Sequence, residues 1–190
     1  VYNKYIVLYQ TVLFNENAAL QPAVIIETSL AALAFPANVM PVSSFVGDMI
    51  LEEAPQLIEE YGLDTFEMKV QQINRTLAEK VFAICDYYLR GEVHKYSRHL
   101  YDIYKLLPHV PQDEAFRDLV EEVRRIRKGS DYCPSAKDGV DIPKMLGEIL
   151  SKEIYKSDYI NVTEYLLEEK IPYDTVITAI EEIIAGKMFE

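Results

Sequence analysis

The chain has 190 residues, a formal net charge of −12 and 49% hydrophobic residues, enough to build one domain, or one domain with an appended subdomain, around a sizeable core. The negative balance excludes broad, non-specific nucleic-acid binding, which needs a field of Lys and Arg. Seven Gly and nine Pro exclude a low-complexity chain.

Two cysteines, Cys85 and Cys133, make neither a disulfide framework nor a zinc spacing, so the expected compartment is reducing, hence cytoplasmic. The longest apolar run, Ala31 to Met40, is interrupted by Pro36 and falls short of the roughly 20 residues of a membrane span. Charged and polar residues break up the N-terminal stretch, so no signal peptide is expected there. No membrane partner is expected.

In chain order, Tyr5 to Phe14 is β-branched and aromatic, and Ala23 to Thr28 is a short apolar run behind Pro22; both read as strands. A connection through Pro36 and Pro41 follows. Phe45 to Tyr61 reads as a short helix or a strand running into one, and Phe66 to Gln71 alternates like a half-buried strand.

From Thr76 onward the pattern is helical. Thr76-Leu-Ala-Glu79 has the form of a capping box, opening a helix to about Arg90 with Leu77, Val81, Ile84 and Tyr88 on one stripe. Gly91 ends it. A second helix spans about Lys95 to Leu107, with Leu100, Ile103, Tyr104 and Leu107 inward, and stops before Pro108. A third covers Asp113 to Arg127, and 129–143 is a loop. Three more are expected over Lys144 to Lys156, Val162 to Glu169 behind an Asn161/Glu164 box, and Tyr173 to Ala185, the last closed by Gly186. Arg124, Arg125, Arg127 and Lys128 form the basic cluster at the end of the third helix. There cations suit the macrodipole, and an RNA or partner patch is the other reading.

The chemistry-bearing constellation lies in the first two helices. Lys80 stands 11 residues before Gly91 and Asp102 stands 11 after it, so an antiparallel hairpin would bring both to one level. Arg98 and Asp102, four apart, share a face. Read as starting at Thr76, the helix also puts Lys80 just past its first turn, where a cation is disfavoured unless Asp102 or a bound phosphate offsets it. The plain alternative is a surface ion pair between helices, with Glu79 explained by capping.

The segments Arg75-Thr-Leu-Ala-Glu-Lys-Val-Phe-Ala-Ile84 and Tyr96-Ser-Arg-His-Leu-Tyr-Asp-Ile-Tyr-Lys-Leu106 resemble the "TLxEKxxAL … RDxYDLYxL" pair of the bacterial AbiEii/AbiGii nucleotidyltransferase toxins. Gln21-Pro-Ala-Val-Ile-Ile-Glu-Thr28 is similar to that family's strand bearing the third acidic residue of the catalytic core. The resemblance implies an α+β fold. Residues 1–72 would be the C-terminal part of a nucleotidyltransferase core with two or three strands, and residues 73–190 a helical domain of five or six helices.

It further implies transfer of a nucleotidyl group from a nucleoside triphosphate to an RNA or protein acceptor, in a toxin–antitoxin or abortive-infection system with a cognate antitoxin. Glu27 would be the third carboxylate at a magnesium pair. Lys80 would hold phosphates, Asp102 would orient Lys80 or the attacking hydroxyl, and Arg98 would bind substrate and brace the cluster.

Two departures accompany the resemblance. Where the family has Arg-Asp this chain has Arg98-His99, and His99 reads as a packed or exposed helix residue rather than a base. The family's Gly-Ser turn followed by Asp-x-Asp is absent; Gly129-Ser130 precedes only Asp138 and Asp141, at the wrong spacing. Val1 is therefore expected to lie downstream of that motif, the Mg2+ site to be incomplete, and these residues to be inactive alone. An apolar sheet face left uncovered makes self-association a further expectation. The competing expectation is a non-catalytic helical interaction module in which Lys80, Arg98 and Asp102 form a structural network.

Overall fold

A computed structural model of the chain describes residues 2–10, 22–29 and 36–190. Strand β1 (Tyr2–Leu8) pairs antiparallel with β2 (Ala23–Ser29), in register from Tyr2↔Ser29 to Leu8↔Ala23. The remainder of the expected first strand, 11–14, lies outside the described residues, as does Gln21 of the motif on β2.

Strand β3 (Ala37–Val42) pairs antiparallel with β4 (Phe66–Gln71), and helices α1 (Phe45–Glu53) and α2 (Leu57–Tyr61) fill the connection between them. Ser44 caps α1 by accepting the Gly47 N–H at 2.9 Å. The described residues thus hold four strands in two two-stranded sheets, not two or three in one. The prolines suggested a connection where β3 stands. A two-stranded sheet leaves both its strands with an open edge, and there Pro41 costs no ladder bond.

The fold is α+β with the core on the helical side. Apart from Gly47, every buried position among the described residues lies at Arg75 or later. Apolar strand residues such as Ile6, Val7, Ile25, Val39, Phe66 and Met68 are exposed.

Helix α3 (Ile73–Arg90) starts three residues before the expected Thr76. Gln72 occupies the N-cap without a side-chain bond, and the Thr76 hydroxyl donates back to the Gln72 carbonyl at 3.1 Å, so the capping-box reading fails. Lys80 consequently sits in the third turn, where the argument from the helix dipole no longer applies. Gly91, at φ 70°, closes α3 in the left-handed conformation that glycine adopts without strain.

Helix α4 (Arg98–Leu106) follows a turn and runs into a 3-10 turn, Leu107–His109. Asp113 and Asp141 cap α5 (Glu114–Arg127) and α6 (Ile142–Ser151), each accepting an N–H at 2.9 Å. The sequence reading carried α6 on to Lys156, but Glu153 at φ 48° breaks it.

A short α7 (Lys156–Asp158) leads into a π turn, Tyr159–Thr163, and the helix expected over Val162–Glu169 is instead the end of that turn and a 3-10 turn, Glu164–Leu166. Helix α8 (Tyr173–Gly186) closes at Lys187, φ 56°, one residue beyond the expected end. No helix among the described residues is long and apolar enough to cross a membrane.

The core forms where α3 meets α4, α5 and α6, with α8 packed on α4 and α6. Leu77, Val81 and Ile84 of the expected stripe are fully buried, as are Leu100 and Ile103 of α4, while Tyr88 and Tyr104 are half-buried. Phe189 meets Phe82 and Phe116 edge-on, with centroids 5.8 and 6.1 Å apart. The Tyr155 hydroxyl, fully buried, donates to the Ile84 carbonyl at 2.6 Å, so its desolvation is compensated.

Candidate functional site

Helices α3 and α4 pack along each other in opposite chain directions: Tyr87 stacks on Tyr96 near the turn, and Lys80 reaches Asp102 farther along. Lys80 Nζ lies 2.7 Å from Asp102 Oδ2, with both side chains about a third exposed (30% and 31%). The two residues therefore meet, although not by the equal rise the sequence suggested, because residues 92–97 are a turn and not a helix.

Between them sits His99. Its Nδ1 is 3.4 Å from Lys80 Nζ and 3.3 Å from Asp102 Oδ2. One ring nitrogen cannot accept from the ammonium and donate to the carboxylate at once, so the short Lys80–Asp102 contact dominates and His99 serves one side or the other. Burial lowers the His99 pKa below its ordinary value, ahead of the opposing bond to Asp102, which keeps the imidazole neutral near pH 7. Burial would raise the Asp102 carboxyl, but hydrogen bonds from His99 and Lys80 outweigh it and hold the group below the usual carboxylate range.

A lysine ammonium carries three donors, and Asp102 takes one. The arrangement thus presents an oriented, half-exposed cation able to engage an anion while its carboxylate holds it in place. Neither Lys80 nor Asp102 lines the hollow beside Arg98 or the larger hollows along α5 and α6.

Arg98 is turned elsewhere. Its guanidinium lies 5.9 Å over the Tyr96 ring and lines a separate hollow with Lys95 and Tyr101. Its distance of four residues from Asp102 does not produce an ion pair among the described residues. Glu27 stands on β2 opposite Lys4 of β1, with the carboxylate 3.3 Å from the ammonium and both about half exposed.

A second network on α3 escaped the sequence reading. Asp86, 2% exposed, accepts from Arg127 Nη2 at 2.5 Å and from the Ser135 N–H at 2.8 Å, while Arg127 also bonds Glu79, which Arg75 holds from one turn away. Glu79 is thus a tertiary ligand, not a cap. Most of the basic cluster is spent within the fold as well: Arg124 donates to the Val140 and Phe189 carbonyls, and Lys128 pairs with Asp138. Pairs 41 and 48 residues apart leave no spacing to read.

The family model described as nucleotidyl transferase AbiEii toxin, type IV toxin–antitoxin system, matches residues 2–179. The chain belongs to this AbiEii family. No curated protein and no solved structure matches it.

Membership gives the chain a nucleotidyltransferase-like role in a toxin–antitoxin system. Among the described residues no group of three or more His, Cys, Asp and Glu is arranged to hold an ion. Glu27, the carboxylate expected at the magnesium pair, is engaged by a lysine.

Proposed function

We propose that this AbiEii-family chain handles a nucleoside triphosphate at the Lys80–Asp102 pair. Lys80 binds phosphate oxygens, and Asp102 fixes the ammonium so that no reorganisation is needed when charge moves. The observation that carries this reading is the 2.7 Å contact between two groups that both keep about a third of their surface in water. A purely structural pair has no need of that access. Neutral His99 limits the swing of both partners without adding a charge. In this reading residues 1–72 and 73–190 act as two domains, and the transfer serves a toxin whose activity a cognate antitoxin restrains. An Asp-x-Asp pair for two magnesium ions is not among the 190 residues, so the reading assigns them phosphate binding rather than turnover.

Titrating the four ribonucleoside triphosphates, with and without magnesium, tests it. The expected result is saturable binding that weakens about tenfold or more in Lys80→Ala, as when a charged hydrogen-bond partner is lost. Lys105→Ala, on α4, should leave binding intact. Equal binding by Lys80→Ala, or no binding by the parent, would refute the assignment.

A second reading has its own observation: the pair stands outside the hollow beside Arg98 and the larger ones, as a strut between α3 and α4 would. A strut would show itself as a loss of stability in Lys80→Ala without any change in ligand binding.

A further inference from the structure

The hollow that takes Arg98 has a chemistry of its own. It encloses about 230 Å³ and is more closed than the larger hollows on the molecule. Lys95, Arg98 and Tyr101 line it from the turn before α4 and from α4, and Val162, Thr163, Leu166 and Leu167 from the π and 3-10 turns, so two cations and three aliphatic side chains share one hollow. Both cations are exposed and make no ion pair among the described residues, on a chain whose net charge is −12.

The walls are held firmly. Asp158, 6% exposed, accepts the Lys95 N–H at 2.9 Å and the Ser97 N–H at 3.2 Å, and it contacts His94 Nδ1 at 3.0 Å. The Ser97 and Thr163 hydroxyls are 2.7 Å apart in a buried contact that ties the turn before α4 to the π turn Tyr159–Thr163. Lys95 is kept at φ 70°, where glycine would sit without strain, so a side chain is placed there against the backbone's preference.

We propose that this hollow binds a small amphiphilic anion, its charged head between Lys95 and Arg98 and its apolar body against Val162, Leu166 and Leu167. A cavity of this size, below that of drug-sized sites, suits a ligand of roughly ten non-hydrogen atoms. A carboxylate or phosphate head meets the same two cations equally well. The apolar wall separates this ligand class from inorganic anions, which would gain nothing from it. The assignment does not rest on the nucleotide reading of Lys80, and its probe carries neither base nor triphosphate.

The test uses octanoate as probe, with acetate as the head alone and 1-octanol as the tail alone. Each is followed by backbone amide shifts in the full chain. Octanoate should saturate, with its largest shifts at Tyr101, Thr163 and Leu166, and acetate and octanol should each bind at least about tenfold more weakly. Arg98→Gln should weaken octanoate by about the same factor.

Lys95→Gly is the sharper variant. It relieves the left-handed strain, so it should melt no lower than the parent while losing octanoate affinity. Octanol binding as tightly as octanoate, shifts centred elsewhere, or unchanged affinity in Lys95→Gly would each overturn the proposal.

Discussion

Helix α3 carries two ion networks that share chemistry and differ in setting. Toward α5, Asp86 is sealed at 2% exposure, with Arg127 and the Ser135 N–H filling its oxygens. Toward α4, Lys80 and Asp102 are equally close but keep about a third of their surface in water. A sealed charge is committed to its partner, because removing either strands the other in a poor solvent for ions. A half-exposed pair has little at stake in stability and can exchange partners. The contrast separates charges sealed into the fold from charges that keep contact with water.

The comparison breaks first at Asp86. Asp86→Ala leaves Arg127 Nη2 and the Ser135 N–H without their acceptor, and should cost about 3 kcal/mol by urea denaturation, the low end for a broken buried pair because Glu79 still holds Arg127. A loss below about 1 kcal/mol would mean that the sealed network is not a structural requirement. Glu79→Gln is milder because Glu79 is a quarter exposed; about 1–2 kcal/mol is expected in the same assay.

His99 sharpens the other side through pH. Its pKa is lowered on folding from 6.5, so the unfolded chain binds more protons below that value. Stability should therefore fall as pH drops from 6.5 toward the folded-state value, and His99→Gln should flatten that slope in a pH series of thermal melts. An unchanged slope would show that His99 is not the buried neutral group described. Smallest of all, Lys80→Met should shift stability by no more than about 1 kcal/mol.

Local chemistry was legible in the sequence and distant chemistry was not. Asp113 opens its helix where the sequence places it, with the cap bond made within three residues, whereas Asp141 caps α6 inside a stretch that reads as loop. The start of α3 is silent, since Gln72 caps it without a side-chain bond, and Thr76-Leu-Ala-Glu79 offered a false beginning. Strand β3 hid behind Pro36 and Pro41, which read as a connection until its pairing with β4 is seen. The π and 3-10 turns over Tyr159–Leu166 replace one expected helix, and an Asn161/Glu164 spacing cannot distinguish them. Among the site residues, the meeting of Lys80 and Asp102 was foreseen; the placement of Arg98 was not, because a shared helix face says nothing about which way a long side chain leans. Glu79 and Arg127 needed the tertiary structure outright.

The Lys80–Asp102 pair is kept either for a ligand, as proposed, or for the fold. Unfolding free energy and nucleoside triphosphate affinity, measured side by side on Lys80→Met and Asp102→Asn, put that question directly. Affinity should drop about tenfold or more for Lys80→Met and less for Asp102→Asn, while stability moves by at most about 1 kcal/mol in either. Stability losses of several kcal/mol with affinity untouched would contradict the ligand role and return the pair to the structural side of α3.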